Sequence, residues 1–201
     1  MNTVLFATSN QEKLLIAKTV GAKFNLQIKQ AVINIDEIQG EDPALIIKDK
    51  AKRAYQCLSK SVVVSDDLWS IPALNGFPGP YMKSINKWFK AEDLIRLMDG
   101  VKNRTIILQQ YLAYYDGSNM KIFSNNIFGK IIDEPRGHNE NSPCMSVIIL
   151  NDDNGKTIAQ VFENDKRLKI NRYENRPDVW HKFINWYVTY LKTKNIKIIY
   201  D

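Results

Sequence analysis

Two extended runs, Thr105 to Tyr115 and Met120 to Ile132, are separated only by Asp116, Gly117, Ser118 and Asn119. Both are rich in β-branched and aromatic residues, and the Asp-Gly step suits a tight turn, so the spacing predicts a long antiparallel hairpin. Ahead of it, Val4 to Ala7 and Val62 to Val64 read as short buried strands, alternating with helical patterns around residues 11–20 and 43–58. Strands that alternate with helices pair in parallel, whereas a hairpin pairs antiparallel, so the sheet is expected to be mixed and flanked by helices. Ala91 to Met98 reads as another helix. Val147 to Leu150 and Ile158 to Phe162 flank the Asn151 to Gly155 turn and predict a second hairpin. In the final helix Trp180, Phe183, Ile184, Tyr187 and Leu191 recur on one face, a core stripe.

Three polar clusters stand out against this frame. The first is Asp66 and Asp67, placed by the apolar run before them at the expected end of a strand, where ligands collect in open α/β sheets. Adjacent carboxylates at such a place need hydrogen bonds, protonation or a cation, and a divalent metal or a solvated Asp-Asp turn both satisfy that need. The rigid turn Phe77, Pro78, Gly79, Pro80, Tyr81, Met82, Lys83 follows shortly after. The second cluster is Thr8, Ser9, Asn10, Gln11, Glu12, Lys13, between a strand and a helix start. Such a junction presents backbone N–H groups and positive potential to a phosphate, although Thr and Asn there are also ordinary helix caps. It lacks the glycines and the Gly-Lys-Ser/Thr ending of a Walker loop. The third is Asp36, Glu37, Ile38, Gln39, Gly40, Glu41, ahead of Asp42 and of Pro43 as the first helical residue. In the helix that follows, Ile47, Ala51, Ala54 and Leu58 form the apolar face, and Lys50 belongs either to the surface or to the site.

Composition narrows the function classes. A chain of 201 residues is long enough to bury a substantial core and reads as one domain spanning 1–201, with two lobes possible. No linker, internal repeat, signal segment or membrane-length run is visible, and a soluble cytoplasmic protein is expected. The two cysteines, Cys57 and Cys144, are too isolated for a disulfide framework, and with only His138 and His181 a histidine-based metal centre is disfavoured. The net charge of +6 favours anionic ligands, but Lys192, Lys194 and Lys197 in a basic tail at about 192–201 account for much of it, and no nucleic-acid motif is present.

In this order the clusters resemble the inosine triphosphate pyrophosphatase family. Its Thr-Gly-Asn-x-x-Lys turn is similar to Thr8 to Lys13, its Glu-x-Gln-Gly element to Glu37 to Gly40, and its Glu-Lys-Ala helix motif to Asp49, Lys50, Ala51. Its acidic pair and Gly-x-Pro-Gly-Pro-Tyr-x-Lys match Asp66, Asp67 and the turn ending at Lys83. Gly129, Lys130, Ile131 with Pro135, Arg136, Gly137 match a later motif displaced by one residue. The resemblance implies an elongated two-lobed α/β fold with its site in the cleft between lobes, a homodimer, and Mg²⁺-dependent hydrolysis of deaminated purine nucleoside triphosphates to monophosphate and pyrophosphate. It implies Glu37, Asp66 and Asp67 as metal ligands, with Asp66 and Asp67 catalytic. Thr8, Ser9, Asn10, Lys13 and Lys50 would hold phosphate, and Lys83, Asn175 and Arg176 would bind the base or another part of the substrate.

The chain also departs from that pattern. Ungapped alignment places Asp66 at the principal aspartate with Ser65 in place of the first acid, whereas a one-residue gap makes Asp66 and Asp67 the pair; both frames stay open. Where the family carries Phe-Gly-Trp/Tyr-Asp-Pro, this chain has His138, Asn139, Glu140, Asn141, Ser142, Pro143. The family's Asn-x-x-Ser-His-Arg is met only by Asn171 to Arg176, without the Ser and His. Two alternatives follow: a pyrophosphatase of changed base preference, stacking on Trp69, Phe162 or Tyr173, or a relative that binds nucleotide without turning it over.

Overall fold

The computed structural model describes residues 2–36, 38, 40–163 and 178–200, with backbone alone for 194–200. Strand β1 (Asn2–Ala7) leads to helix α1 (Gln11–Lys23), β2 (Leu26–Ala31), α2 (Pro43–Leu58) and β3 (Val62–Ser70). After a short 3₁₀ turn come β4 (Pro78–Gly79), α3 (Met82–Trp88) and α4 (Ala91–Leu97). Two long strands, β5 (Thr105–Tyr115) and β6 (Met120–Ile131), precede β7 (Ile148–Leu150), α5 (Ile158–Glu163) and the terminal helix α6 (Val179–Tyr200). The sheet order is β2-β1-β3-β5-β6-β7, with β4 attached to β3. As expected, the sheet is mixed: β1 runs parallel to β2 and β3, and the remaining pairs are antiparallel.

The β5–β6 hairpin is continuous from Thr105↔Lys130 to Tyr115↔Met120. Asp116 Oδ1 accepts from the Ser118 and Asn119 backbone N–H groups at 3.1 and 2.7 Å, and Gly117 takes a φ of +95°. A Cβ at Gly117 would also lie 2.4 Å from the Tyr55 hydroxyl, so both the turn and its packing on α2 require glycine.

Period-2 alternation along β3 and β5 divides the core. Val63, Leu112 and Tyr114 face α1 and α6, where they meet Leu14, Ala17, Trp180, Phe183 and Tyr187. Val62, Val64 and Ala113 face the opposite way, onto Ile47, Ala51 and Ala54 of α2. A third cluster fills the far end of the sheet, where Trp69, Ile106 and Ile148 meet Met82, Leu94, Met98 and Ile158. The cores at the two ends of the sheet leave a gap between them on the α1/α6 face. Helix α6 is capped by Asp178, whose Oδ1 accepts from Trp180 and His181 N–H at 2.8 and 3.1 Å. Among the described residues no helix is long and apolar enough to cross a membrane.

Two expectations are corrected. β3 does not end at Asp66 and Asp67 but continues to Ser70, because β5 pairs with it residue for residue as far as Ser70↔Ile107. Ile158 to Phe162 is a helix and not the second arm of a hairpin. Thr157 and Gln160 form a capping box, Thr157 Oγ1 accepting from Gln160 N–H at 3.2 Å and Gln160 Oε1 from Thr157 N–H at 3.0 Å. That Thr-x-x-Gln spacing before Val161 was the available sequence signal.

The cysteines behave as isolated thiols. Cys144 is fully buried, and burial, with the charge of Asp93 adding to it, pushes its thiol up to about 11. At pH 7 its thiolate fraction is then on the order of one in ten thousand. Iodoacetamide is therefore expected to alkylate the exposed Cys57 in the native protein and Cys144 only after unfolding; equal native rates by peptide mass mapping would contradict this packing.

Candidate active site

β1 supports β3 only at Leu5↔Val62 and Phe6↔Val63, and β4 takes over that edge at Trp69↔Gly79. Between these contacts the edge of β3 carries no strand partner among the described residues, and two lysines arrive there. Lys13, on the first turn of α1, places Nζ 3.3 Å from Asp67 Oδ2 and 3.9 Å from Asp66 Oδ1. Lys50, from α2, donates to the Ser65 carbonyl at 3.3 Å. The aspartates point to opposite faces by strand alternation, and a lysine standing at the open edge reaches both. Asp66 Oδ1 also accepts from the Asp67 backbone N–H at 3.0 Å. The carboxylate pair is thus neutralised partly by Lys13 and partly by a local hydrogen bond.

The turn between β1 and α1 is held by its own side chains. Thr8 Oγ1 accepts from Asn10 N–H at 3.1 Å, and Asn10 Oδ1 accepts from Glu12 and Lys13 N–H at 2.9 and 3.1 Å. Gln30 Nε2 donates to the Thr8 carbonyl at 2.9 Å, fastening the turn to β2. These bonds set the helix start that carries Lys13 to the carboxylates. Ser9 is exposed beside it.

A cleft of about 520 Å³ opens in front of this turn, on the α1/α6 face of the sheet, a volume in the range of small-molecule sites. Asn10, Lys13 and Asp67 stand at one end. Register then defines the floor: Asp67 lies across from Gln110, and Trp69 from Leu108, which in turn lies across from Ile127. Polar residues therefore give way to an apolar row two residues further along. Met145, Ile158 and Phe162 close the apolar end, and Asn139, Asn141 and Ser142 line the wall. A charged end joined to an apolar end suits an amphiphilic anion such as a nucleotide.

The sequence candidates distribute unevenly. Asp66, Asp67, Lys13, Lys50, Thr8 and Asn10 come together around the open edge. Lys83 is exposed on α3 and does not line the cleft. Glu37, Asn175 and Arg176, with Tyr173, lie outside the described residues. Gln110, Leu108, Ile127, Asn139 and Met145 were not anticipated, since only cross-strand register and the path of the 138–145 segment bring them to the cleft. Trp69 and Phe162 do line it, as the stacking alternative requires.

A model of the Ham1 family matches residues 4–184. The chain belongs to the Ham1 family. It is 29% identical over 185 residues to a dITP/XTP pyrophosphatase of Methanopyrus kandleri, which covers 92% of this chain and 95% of that one. It is 32% identical over 139 residues to an inosine triphosphate pyrophosphatase of Tuber melanosporum, covering 67% and 73%. A HAM1 protein structure from Coxiella burnetii shares the fold with a TM-score of 0.74 at 18% identity, over 94% of this chain and all of that one. This Ham1 chain therefore has the fold of its family, with the segment 138–143 that departs from the family pattern forming part of the cleft wall.

Proposed function

We propose that this chain hydrolyses deaminated purine nucleoside triphosphates, those of inosine and xanthosine and their deoxy forms, to the monophosphate and pyrophosphate. The observation that carries the reading is one cleft with Lys13 and the Asp67 carboxylate at one end, Asp66 beside them on Lys13 at the open edge of β3, and an apolar chamber at the other end. The substrates for which the Methanopyrus and Tuber relatives are named support the substrate class.

In the proposed reaction the triphosphate lies toward Lys13, Lys50 and the Thr8–Asn10 turn, and the base enters the apolar end. Water attacks the α-phosphorus, and the new P–O bond forms as the bond to the α–β bridging oxygen breaks. Pyrophosphate leaves with that electron pair. The proton lost by water passes to a carboxylate of the Asp66/Asp67 pair, and Lys13 and Lys50 stabilise the charge developing on the phosphate oxygens. Hard carboxylate oxygens suit Mg²⁺, which Asp66, Asp67 and Glu37 would hold. Bound there, it would offset phosphate charge. Lys13 would then have to yield part of its contact with the pair, which its 3.9 and 3.3 Å separations permit. We extend the proposal to a single-domain cytoplasmic homodimer, the arrangement that the family resemblance implies.

The test is pyrophosphate release over a panel of ordinary and deaminated ribo- and deoxyribonucleoside triphosphates, with Mg²⁺ and with EDTA. Turnover of inosine or xanthosine triphosphate at a kcat/KM at least about ten-fold above that for ATP, and abolished by EDTA, is expected. Turnover favouring an ordinary base would move the assignment to another substrate, and tight binding with no turnover would favour the binding-only reading.

A further inference from the structure

Cross-strand register places a continuous polar row on the cleft face of the sheet. Asp67 of β3 lies across from Gln110 of β5, and Gln110 across from Asn125 of β6. Residues directly opposite in an antiparallel pair share a face and stand about 5 Å apart, so the Gln110 side chain flanks the Asp67 carboxylate. Lys13 reaches that carboxylate from the other flank, at the open edge of β3, with Nζ 3.3 Å from Asp67 Oδ2. Gln110 Oε1 accepts from Asn125 Nδ2 at 3.4 Å, which holds the oxygen toward β6. The Gln110 NH₂ group can only donate, and it meets no acceptor among the described residues although Gln110 lines the cleft. Two residues further along, about 7 Å away, the floor is Trp69, Leu108 and Ile127. Gln110 therefore stands at the last polar position before the apolar chamber.

We propose that Gln110 donates a hydrogen bond to a non-bridging oxygen of the substrate's α-phosphate. The inference rests on the nucleotide reading of the cleft given above and adds a residue to its reaction. The α-phosphate is the part of a nucleotide that joins charged to apolar, and Gln110 occupies the same junction in the cleft. The β- and γ-phosphates lie toward Lys13 and Lys50, and the nucleoside extends over Leu108 and Trp69. A water held by Asp67 for attack at the α-phosphorus brings the oxygens of that phosphate within reach of the neighbouring amide. As the water adds and the bond to the α–β bridging oxygen breaks, the amide stabilises charge on the non-bridging oxygen. A neutral donor suits this place better than a second cation, because it leaves unpaired the Asp67 charge that draws the proton from water. The contact with Asn125 sets the donor in place before substrate arrives.

Calorimetric binding of inosine and of inosine 5′-monophosphate tests this without any turnover. Gln110→Met keeps the length of the side chain and removes both N–H donors. The wild-type protein is expected to bind the monophosphate at least about a hundred-fold more tightly than inosine. In Gln110→Met that ratio is expected to fall by about ten-fold or more, the scale of one hydrogen bond to a charged acceptor, with inosine binding changed by no more than about two-fold. Direct contact is read from turnover of the two diastereomers of inosine 5′-O-(1-thiotriphosphate), in which sulfur, a weak acceptor, replaces one or the other non-bridging α-oxygen. Gln110→Met is expected to lower kcat for the oxygen substrate by about ten-fold or more, and for one diastereomer by only about two-fold or less, because the sulfur has already removed the bond. A monophosphate-to-inosine ratio that Gln110→Met leaves unchanged, or equal losses of kcat with the oxygen substrate and both diastereomers, overturns the assignment. A wild-type protein that binds the monophosphate no better than inosine overturns it together with the nucleotide reading. Absence of pyrophosphate release with the binding ratio behaving as described would instead refute the hydrolytic reading alone.

Discussion

Asp66→Asn and Asp67→Asn are each expected to lower kcat for pyrophosphate release by about 10²-fold or more, while leaving the protein folded. The substitution keeps side-chain size but removes the charge needed to accept a proton or hold a cation. Stability is expected to change little. The Lys13 contacts are partly solvated, with Asp66 and Asp67 side chains 27% and 33% exposed, and ion pairs of that kind contribute about 0–1 kcal/mol. The two losses need not be equal. Asp67 shares the cleft face with Trp69 and Gln110, whereas Asp66 projects from the other face and reaches the site around the open edge of β3. The larger loss of kcat therefore identifies the carboxylate that handles the water, and retention of full activity by both variants would remove the pair from the mechanism.

Phe183→Ala is expected to destabilise the fold by about 3–5 kcal/mol, the range for truncating a buried aromatic without collapse of the cavity. Phe183 is fully buried between the sheet and α1, with ring centroids of Tyr187, Trp180 and Phe123 at 5.3, 5.7 and 5.9 Å. These neighbours come from two different elements, so the space cannot be closed by one side chain changing rotamer. The consequence extends to function because α6 carries Asp178, which lines the cleft. Urea unfolding followed by tryptophan fluorescence measures the effect. A loss below about 1 kcal/mol would mean that α6 is not packed on the sheet as described.

Legibility in the sequence followed how local the determining interaction was. Helix α2 runs from Pro43 to Leu58 as its proline and apolar spacing predict, with Asp42 Oδ1 accepting Ala44 N–H at 2.8 Å. The β5–β6 hairpin was equally readable, because the Asp-Gly turn and both strands are contiguous in the chain. The continuation of β3 was not. Its apolar run stops at Val64, and what keeps Ser65 to Ser70 extended is β5, more than thirty residues away. At the site, Lys13 and the aspartates were found from short motifs. Gln110 and Asn139 were hidden for opposite reasons: one depends on which residue lies across from Asp67, and the other sits in a segment without the aromatic signature of the family.

The measurement that most directly tests the hydrolytic assignment is turnover of inosine triphosphate in H₂¹⁸O, with both products analysed by mass spectrometry. The proposed attack at the α-phosphorus predicts one ¹⁸O in the inosine monophosphate and none in the pyrophosphate. Label in the pyrophosphate instead, or release of a diphosphate and inorganic phosphate, would contradict it.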